Sequence, residues 1–339
     1  MATTELLTGA LFGSALLVSG VSSPSVIVSQ LDLKDFHMLG AFITASAASA
    51  AIVRVSRATS HAPLPARTPQ PYNLLTSYDA NVVGGLLQGL GMALTGACPG
   101  TGLVQLGTNL RSQGHPIGVY LLGGGLFGGL VWNRLEPLLP RRNTHNTSNI
   151  KSSSIKSSSS SLSETSIFIA YEIALISTLY AITQSAPLSR APVSPIIGGL
   201  LIGAAQAVTV LLSRRTIGVS GSYAQLAGWV ESLLSSPKST RSPLNLNVVQ
   251  FATGIVASSL AISFFRPSVI PLAIGAGVNV GVQKAFWGSA ISIFGARLAG
   301  GCTSGHGLSG MASFGWASLV SVAAMFGGGI LARDIINRF

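Results

Sequence analysis

Charge is scarce in this sequence. Only 9% of its 339 residues are Asp, Glu, Lys or Arg, where a soluble domain carries about a quarter, so the chain cannot clothe a water-facing surface. A soluble globular fold is thereby excluded. Acidic residues are the rarer sign, nine against twenty basic ones, which leaves a net charge of +11. Such an excess can signal nucleic acid, but here the basic residues are dispersed between apolar runs and no nucleic-acid motif accompanies them. They read as orientation signals and interfacial anchors of a membrane protein, so no nucleic-acid partner is expected. Cysteine is rarer still. Two thiols at the ends of apolar runs define no disulfide framework, and with His306 alone beside them they fall short of a tetrahedral metal set. Neither a metal nor a cofactor is expected. An ATP-binding motif is missing, and no basic region precedes the first apolar run, which predicts no cleaved signal or transit peptide.

What the chain has instead is apolar length: 48% hydrophobic residues and forty glycines. Runs such as Phe36 to Val55, Asn81 to Ala97, Ile117 to Trp132, Ile196 to Leu212 and Trp316 to Leu331 are of the length that crosses a bilayer. The expected fold is all-α, a polytopic membrane protein of about nine transmembrane spans, in the plasma membrane by preference. Between residues 141 and 166 composition changes to serine and asparagine runs that cannot bury a core, which predicts a disordered linker. It divides a first membrane repeat, residues 1–140, from a second, residues 167–339.

The two cysteines mark equivalent places in those repeats. Gly96 to Gly102 reads GACPGTG and Gly300 to Gly310 reads GGCTSGHGLSG. Aligning Cys98 on Cys302, an offset of 204, also superposes Gly84 on Gly288, Gly91 on Gly295, Leu94 on Leu298 and Gly96 on Gly300. With one residue inserted, Gly100, Gly102 and Leu103 fall on Gly305, Gly307 and Leu308. Self-similarity of this kind marks an internal repeat.

Each motif breaks a helix. Pro99 cannot continue one, lacking a donor, but suits the first turn of the next. Gly100 on one side, Thr303 and Ser304 on the other, let backbone N–H groups approach a ligand at a helix N-terminus, where anions are favoured. Two further breaks fall at Gly20-Val21-Ser22-Ser23-Pro24 and Gly218-Val219-Ser220-Gly221. Bare backbone at membrane depth is tolerated only inside protein or beside a water-filled cavity, and broken helices at matching repeat positions point to a transport site. The expected architecture is two pseudo-symmetric repeats whose re-entrant half-helices, including Leu103 to Leu110 and Leu308 to Phe314, form an hourglass.

The string Gly301 to Gly307, Gly-Cys-Thr-Ser-Gly-His-Gly, with GACPG at the partner position, resembles the signature of the sulphur-transport (YeeE/YedE) family of membrane proteins. The resemblance implies uptake of thiosulfate, or a related sulphur-containing anion, passed between cysteine thiols along a narrow central path. Family members with three functional cysteines carry one near the position of Ser22 and Ser23 here, so a mechanism with three thiol stations does not transfer directly.

The expected substrate pathway therefore comprises Cys98, Cys302, Ser22, Ser23, Ser220, Pro99, Gly100, Thr303, Ser304, His306, Arg297 and Gln88. Both thiols are expected as neutral S–H donors to a terminal sulphur. Arg297 is an anion supplement or a snorkelling charge; His306 is a substrate contact or a loop pin; Gln88 lines the path or satisfies a broken helix. Two rival readings remain: a membrane thiol enzyme shuttling persulfide or disulfide states, and a scaffold for a sulphur-handling protein partner. The basic loops Arg54 to Arg67 and Arg134 to Lys156, and Arg333 and Arg338 at the C-terminus, are all expected on the cytoplasmic side.

Overall fold

A computed structural model describes residues 2–70, 72, 77–110, 117–140, 164–185, 193–234, 245–269 and 280–338. Among them are twelve α-helices and no strand. The helices are α1 (Ala2–Val18), α2 (Pro24–Leu31), α3 (His37–Ala58), α4 (Asp79–Thr95), α5 (Pro99–Asn109), α6 (Ile117–Leu135) and α7 (Glu164–Ser185). The chain continues through α8 (Pro195–Ser213), α9 (Ser220–Leu234), α10 (Leu246–Phe265), α11 (Val282–Leu298), a single π-helical segment (Ser304–Gly310) and α12 (Trp316–Arg338). The protein is an integral, multi-pass membrane protein. Six helical stretches among the described residues, fewer than the nine or so expected, are long and apolar enough to cross a bilayer, with α4 and α5 counted as one interrupted stretch.

Most of the expected linker lies outside the described residues, as does the greater part of the apolar run Val269 to Val282. The linker's last three residues are already helical, because α7 begins at Glu164. Where a regular half-helix was expected over Leu308 to Phe314, the chain makes the π-helical segment Ser304–Gly310 followed by turns.

Glycine decides how the helices meet. Without a large hydrophobic drive between helices in lipid, packing rests on small residues that let backbones approach. A Cβ on Gly84 would lie 2.5 Å from Ala299 N, and one on Gly91 2.7 Å from Ser292 N, so α4 runs antiparallel to α11. Gly85 faces Ser321 and Ala324 while Gly89 faces Met325 and Gly329, so α12 runs parallel to α4. The α4–α11 contacts are reciprocal under the offset of 204. Gly91 meets Ser292 as Gly295 meets Gln88, and Gly84 meets Ala299 as Gly288 meets Thr95. By the same reading α1 lies parallel to α10, Gly9 on Phe251 and Gly13 on Ile255, and α3 parallel to α8, Gly40 on Pro195 and Gly199 on Thr44.

The ends of the bundle separate the basic segments. The loop after α3 meets the end of α6 where Tyr72 packs on Trp132 and its hydroxyl donates to Glu136, 3.3 Å away. That is the end where α4 and α12 begin. Arg333 lies near the far end of the 23-residue α12, about 25 Å away by helix rise. Arg333 and Arg338 therefore lie at the opposite end from the loop after α3 and from Arg134 at the end of α6, contrary to the expectation from charge alone. At its own end Arg333 forks onto Asp32, Nε to Oδ1 at 2.8 Å and Nη2 to Oδ2 at 3.1 Å, with Asn337 and Lys34 adding further donors.

Two predictions follow from this packing. Gly89→Ala forces a methyl to within 2.5 Å of Gly329 N and is expected to cost about 1–3 kcal/mol or more of stability. Gly327→Ala, where nothing lies within 4 Å, should be neutral or stabilising by up to about 1 kcal/mol; thermal unfolding in detergent compares them. The Arg333 hydrogen bond holds the Asp32 carboxyl below its usual range. Its contribution is thus complete above the unfolded value of about 3.9 and is lost as pH falls through the lower folded value. Asp32→Asn should melt below wild type at pH 7, and the gap should close as pH falls below about 4.

Candidate functional site

The first-repeat motif is a helix stop welded to a helix start. Gly96 caps α4 in the left-handed conformation, φ 60°, and a Cβ there would lie 2.8 Å from Pro24 Cβ, so the two breaks of this repeat touch. Cys98 is the N-cap of α5 and Pro99 its first residue. Thr101 N and Oγ1 each donate to Cys98 Sγ at 3.4 Å, while Cys98 N donates to Thr101 Oγ1 at 2.8 Å. This reciprocal pairing is the capping box, with a thiol in the usual hydroxyl's place. Gln105 Nε2 donates to Ser22 O at 2.9 Å and Gly96 O at 3.1 Å, tying both breaks together. Ser22 and Ser23 are fully buried; Ser23 Oγ bonds Ser25 Oγ, and Ser22 Oγ has no protein partner.

The second-repeat motif has the same plan with different parts. Gly300, equivalent to Gly96, is again left-handed, φ 83°. Cys302 is completely buried, its Sγ 3.2 Å from Ser304 Oγ. Backbone N–H groups of Gly305, Val219 and Ser220 also point at that sulphur, so Ser220, the first residue of α9, stands against Cys302 as the Ser22 segment stands against Gly96. Ser309 Oγ donates to Ile217 O at 2.8 Å, an analogue of the Gln105 tie.

The two motifs share a cavity. About 50 Å³ in volume, it has a mostly apolar wall of Phe12, Leu16, Val21, Met38, Phe42, Ile202 and Leu308, into which Cys98, Gly100 and Thr101 are set from one motif and Thr303 and Ser304 from the other; Cys302 lies behind these residues and does not line it. That is room for more than one water-sized group, where about 10–15 Å³ holds one. Tyr223 bridges the repeats as well, its buried hydroxyl donating to Pro99 O at 3.0 Å. A second cavity of about 10 Å³ touches Cys98, Tyr223, Ser289 and Ser292.

Other expected residues divide. Gln88 is fully buried with neither amide atom partnered, and its repeat equivalent Ser292 has an equally unpartnered Oγ. Buried amides without partners cost about 1–3 kcal/mol, so their retention calls for a reason. His306 is occupied: Nε2 sits 3.0 Å from Ala299 O and so carries the hydrogen, while Nδ1 accepts from Ser318 Oγ at 3.0 Å. It pins the loop. Arg297, in α11, is half-buried, and its buried Nε has no hydrogen-bond partner.

Sequence reasoning missed Tyr223, Thr101 and Ser292 as members of the site, and Arg67 entirely. Ser292 could have been found as the repeat equivalent of Gln88, and Thr101 as three residues past a helix start. Arg67 gave no signal, since only the folded chain brings its loop to Gly300, where Nη1 donates to the carbonyl at 2.6 Å.

Comparison with known proteins places the chain in a family. Two proteins of Xylella fastidiosa, each named a probable transporter, are similar to the chain. The one from strain 9a5c is 32% identical over 153 residues, which are 43% of this chain and 95% of the relative. The one from strain Temecula1 is 31% identical over 153 residues, with the same shares. Both names indicate a transporter rather than an enzyme. A family model described as "Sulphur transport" matches residues 18–331, both cysteine motifs included, and the chain belongs to that family, whose business is moving a sulphur compound across a membrane.

Proposed function

We propose that this protein carries thiosulfate, or a closely related sulphur-containing anion, through a central path lined by Cys98 and Cys302. The observation that carries the reading is the shared cavity, in which Cys98, Gly100 and Thr101 face Thr303 and Ser304 across the interface of the repeats. An anion there meets the N-terminal turn of α5 and the N–H groups that gather around Cys302, each helix end worth about 0.3–1 kcal/mol and up to about 2 when partly buried. The thiols add soft, polarizable contacts suited to a terminal sulphur. Ser22 and Ser23 stand near the position where family members with three functional cysteines carry the third, and Ser220 adds a hydroxyl in the second repeat.

The architecture we infer for this task is an inverted pair of repeats, α1–α6 and α8–α12, with α7 added outside. The reciprocal α4–α11 contacts support it, because a twofold axis in the membrane plane requires that kind of exchange. So does the length of the probable transporters, each aligned over nearly its whole length with less than half of this chain. Gln88 and Ser292 are equivalents under that axis, each packed on a glycine of the opposite helix, and serve, in this reading, as uncharged polar contacts for the passing ion.

Uptake of radiolabelled thiosulfate into proteoliposomes, with sulphate as competitor, tests the substrate. Cys98→Ala and Cys302→Ala, each shown to be folded, are expected to lower uptake by at least about 10-fold, the worth of one hydrogen bond to a charged group. Full uptake in both variants would remove the thiols from the path, and a persulfide adduct found by mass spectrometry on either cysteine during turnover would favour thiol enzymology. Gln88→Leu separates function from stability. It should raise the melting temperature by removing two unmet polar atoms, worth about 1–3 kcal/mol, while lowering uptake several-fold.

A further inference from the structure

Arg67 stands at the Cys302 motif and is not used by the pathway described so far. It arrives on the loop after α3, residues 59–78, which is drawn across the second-repeat break by its own contacts. Arg57 donates to Leu64 O, Gln70 N donates to Asn81 Oδ1 at 3.3 Å, and the Arg67 main chain packs on Gly315. Its guanidinium fills a notch that only glycine leaves open. Cβ atoms on Gly301, Gly305 and Gly218 would lie 3.0, 3.1 and 3.7 Å from its terminal nitrogens. The fork therefore touches both segments that converge on Cys302, the one entering α9 and the one following α11.

The charge there is uncompensated. Among the described residues no carboxylate lies within ion-pair distance of Arg67. Its hydrogen bond to the neutral Gly300 carbonyl uses one of five donors. Removing a guanidinium partly from water without a counter-ion is costly, and an anion is what would offset it. A snorkelling arginine would turn toward water and carboxylates; this one is turned inward, on a loop that fixes it, while still partly open to solvent.

We propose that Arg67 is the anion-recognition residue at the second-repeat mouth of the path. Its planar fork grips two oxygens of an oxyanion in the bidentate manner of guanidinium pairs, so that a sulphur-terminated ion enters with its oxygens on Arg67 and its sulphur toward Cys302. The proposal rests on the transport reading above and specifies how the ion is oriented. It also assigns to the loop after α3 a part in selectivity, where charge counting made it an orientation signal.

Thiosulfate uptake with equal pH on both faces, compared among wild type, Arg67→Gln, Arg67→Lys and Arg67→His, tests it. Glutamine keeps a donor for Gly300 but loses the charge, so KM is expected to rise at least about 10-fold with Vmax little changed, the loss of a charge-assisted hydrogen bond. Lysine should fall between the two. For the histidine variant KM should climb as pH passes through about 6.5, more steeply than in wild type, a response that a mere pin on Gly300 would not give. Should the glutamine variant fail to fold, the histidine titration decides alone. Wild-type uptake with an unchanged KM in Arg67→Gln, or equal impairment in the Lys and Gln variants with a pH-flat histidine variant, overturns the role of Arg67 and leaves the transport reading intact. No uptake by folded wild type overturns both.

Discussion

An interrupted helix inside an apolar layer leaves backbone N–H and C=O groups without partners, and each costs several kcal/mol if left bare. The polar side chains buried in this protein are distributed largely in answer to that constraint. Gln105 closes on Ser22 O and Gly96 O, Ser309 on Ile217 O, His306 on Ala299 O, Tyr223 on Pro99 O, and Asn81 Nδ2 on Ala299 O and Ser321 Oγ. Thr101 and Cys98 satisfy one another across a capping box. The breaks are thus built and stiffened by side chains. The cavity between the motifs is left with a largely apolar wall, into which Cys98, Thr101, Thr303 and Ser304 are set.

Close helix approach makes this economy of parts workable. With glycine at Gly84, Gly91, Gly288 and Gly295, α4 and α11 come near enough for main-chain atoms to lie against one another, and the two motifs are brought to either side of one cavity. Bulkier residues at those positions would hold the repeats apart and open the path between them. The same glycines leave little freedom of rotation, so the cysteines face fixed partners. Around this rigid centre α7 adds a lipid-facing helix anchored by Tyr171, whose hydroxyl bonds Ser46 beside the Gly307 carbonyl, and by Arg54, which donates to Thr165 and lies over the Phe168 ring.

Repeat equivalence does not mean identity of chemistry. Cys98 is partly accessible and held by its own helix turn, whereas Cys302 is sealed and receives N–H groups from two segments. Charge is just as unequal. Arg67 and Arg297 lie within electrostatic reach of Cys302, while the first-repeat end carries the Asp32–Arg333 pair well away from Cys98.

Much of this was legible in the order of residues. Apolar runs and the scarcity of charge established a helical membrane protein, since no other arrangement satisfies a backbone in lipid. The offset of 204 made Cys98 and Cys302 equivalents, because both stop a helix at a small-residue turn with a local cause in Pro99, Gly96 and Gly300. Local signals failed where partners were distant. Counting runs gave about nine spans where six helical stretches among the described residues are long and apolar enough to cross, and Leu308 to Phe314 read as a regular half-helix where the chain makes a π-helical segment and turns. His306 and Arg297 looked alike as polar intruders, yet one is pinned by Ser318 and Ala299 and the other keeps a buried Nε without a partner. By itself, then, the sequence determined the membrane setting, the breaks and the paired cysteines, each of which depends on neighbours along the chain. Tertiary structure alone decided which polar groups face the cavity and that Arg67 stands 233 positions from its partner Gly300, because contacts across the bundle are made by helices whose approach no stretch of sequence encodes alone.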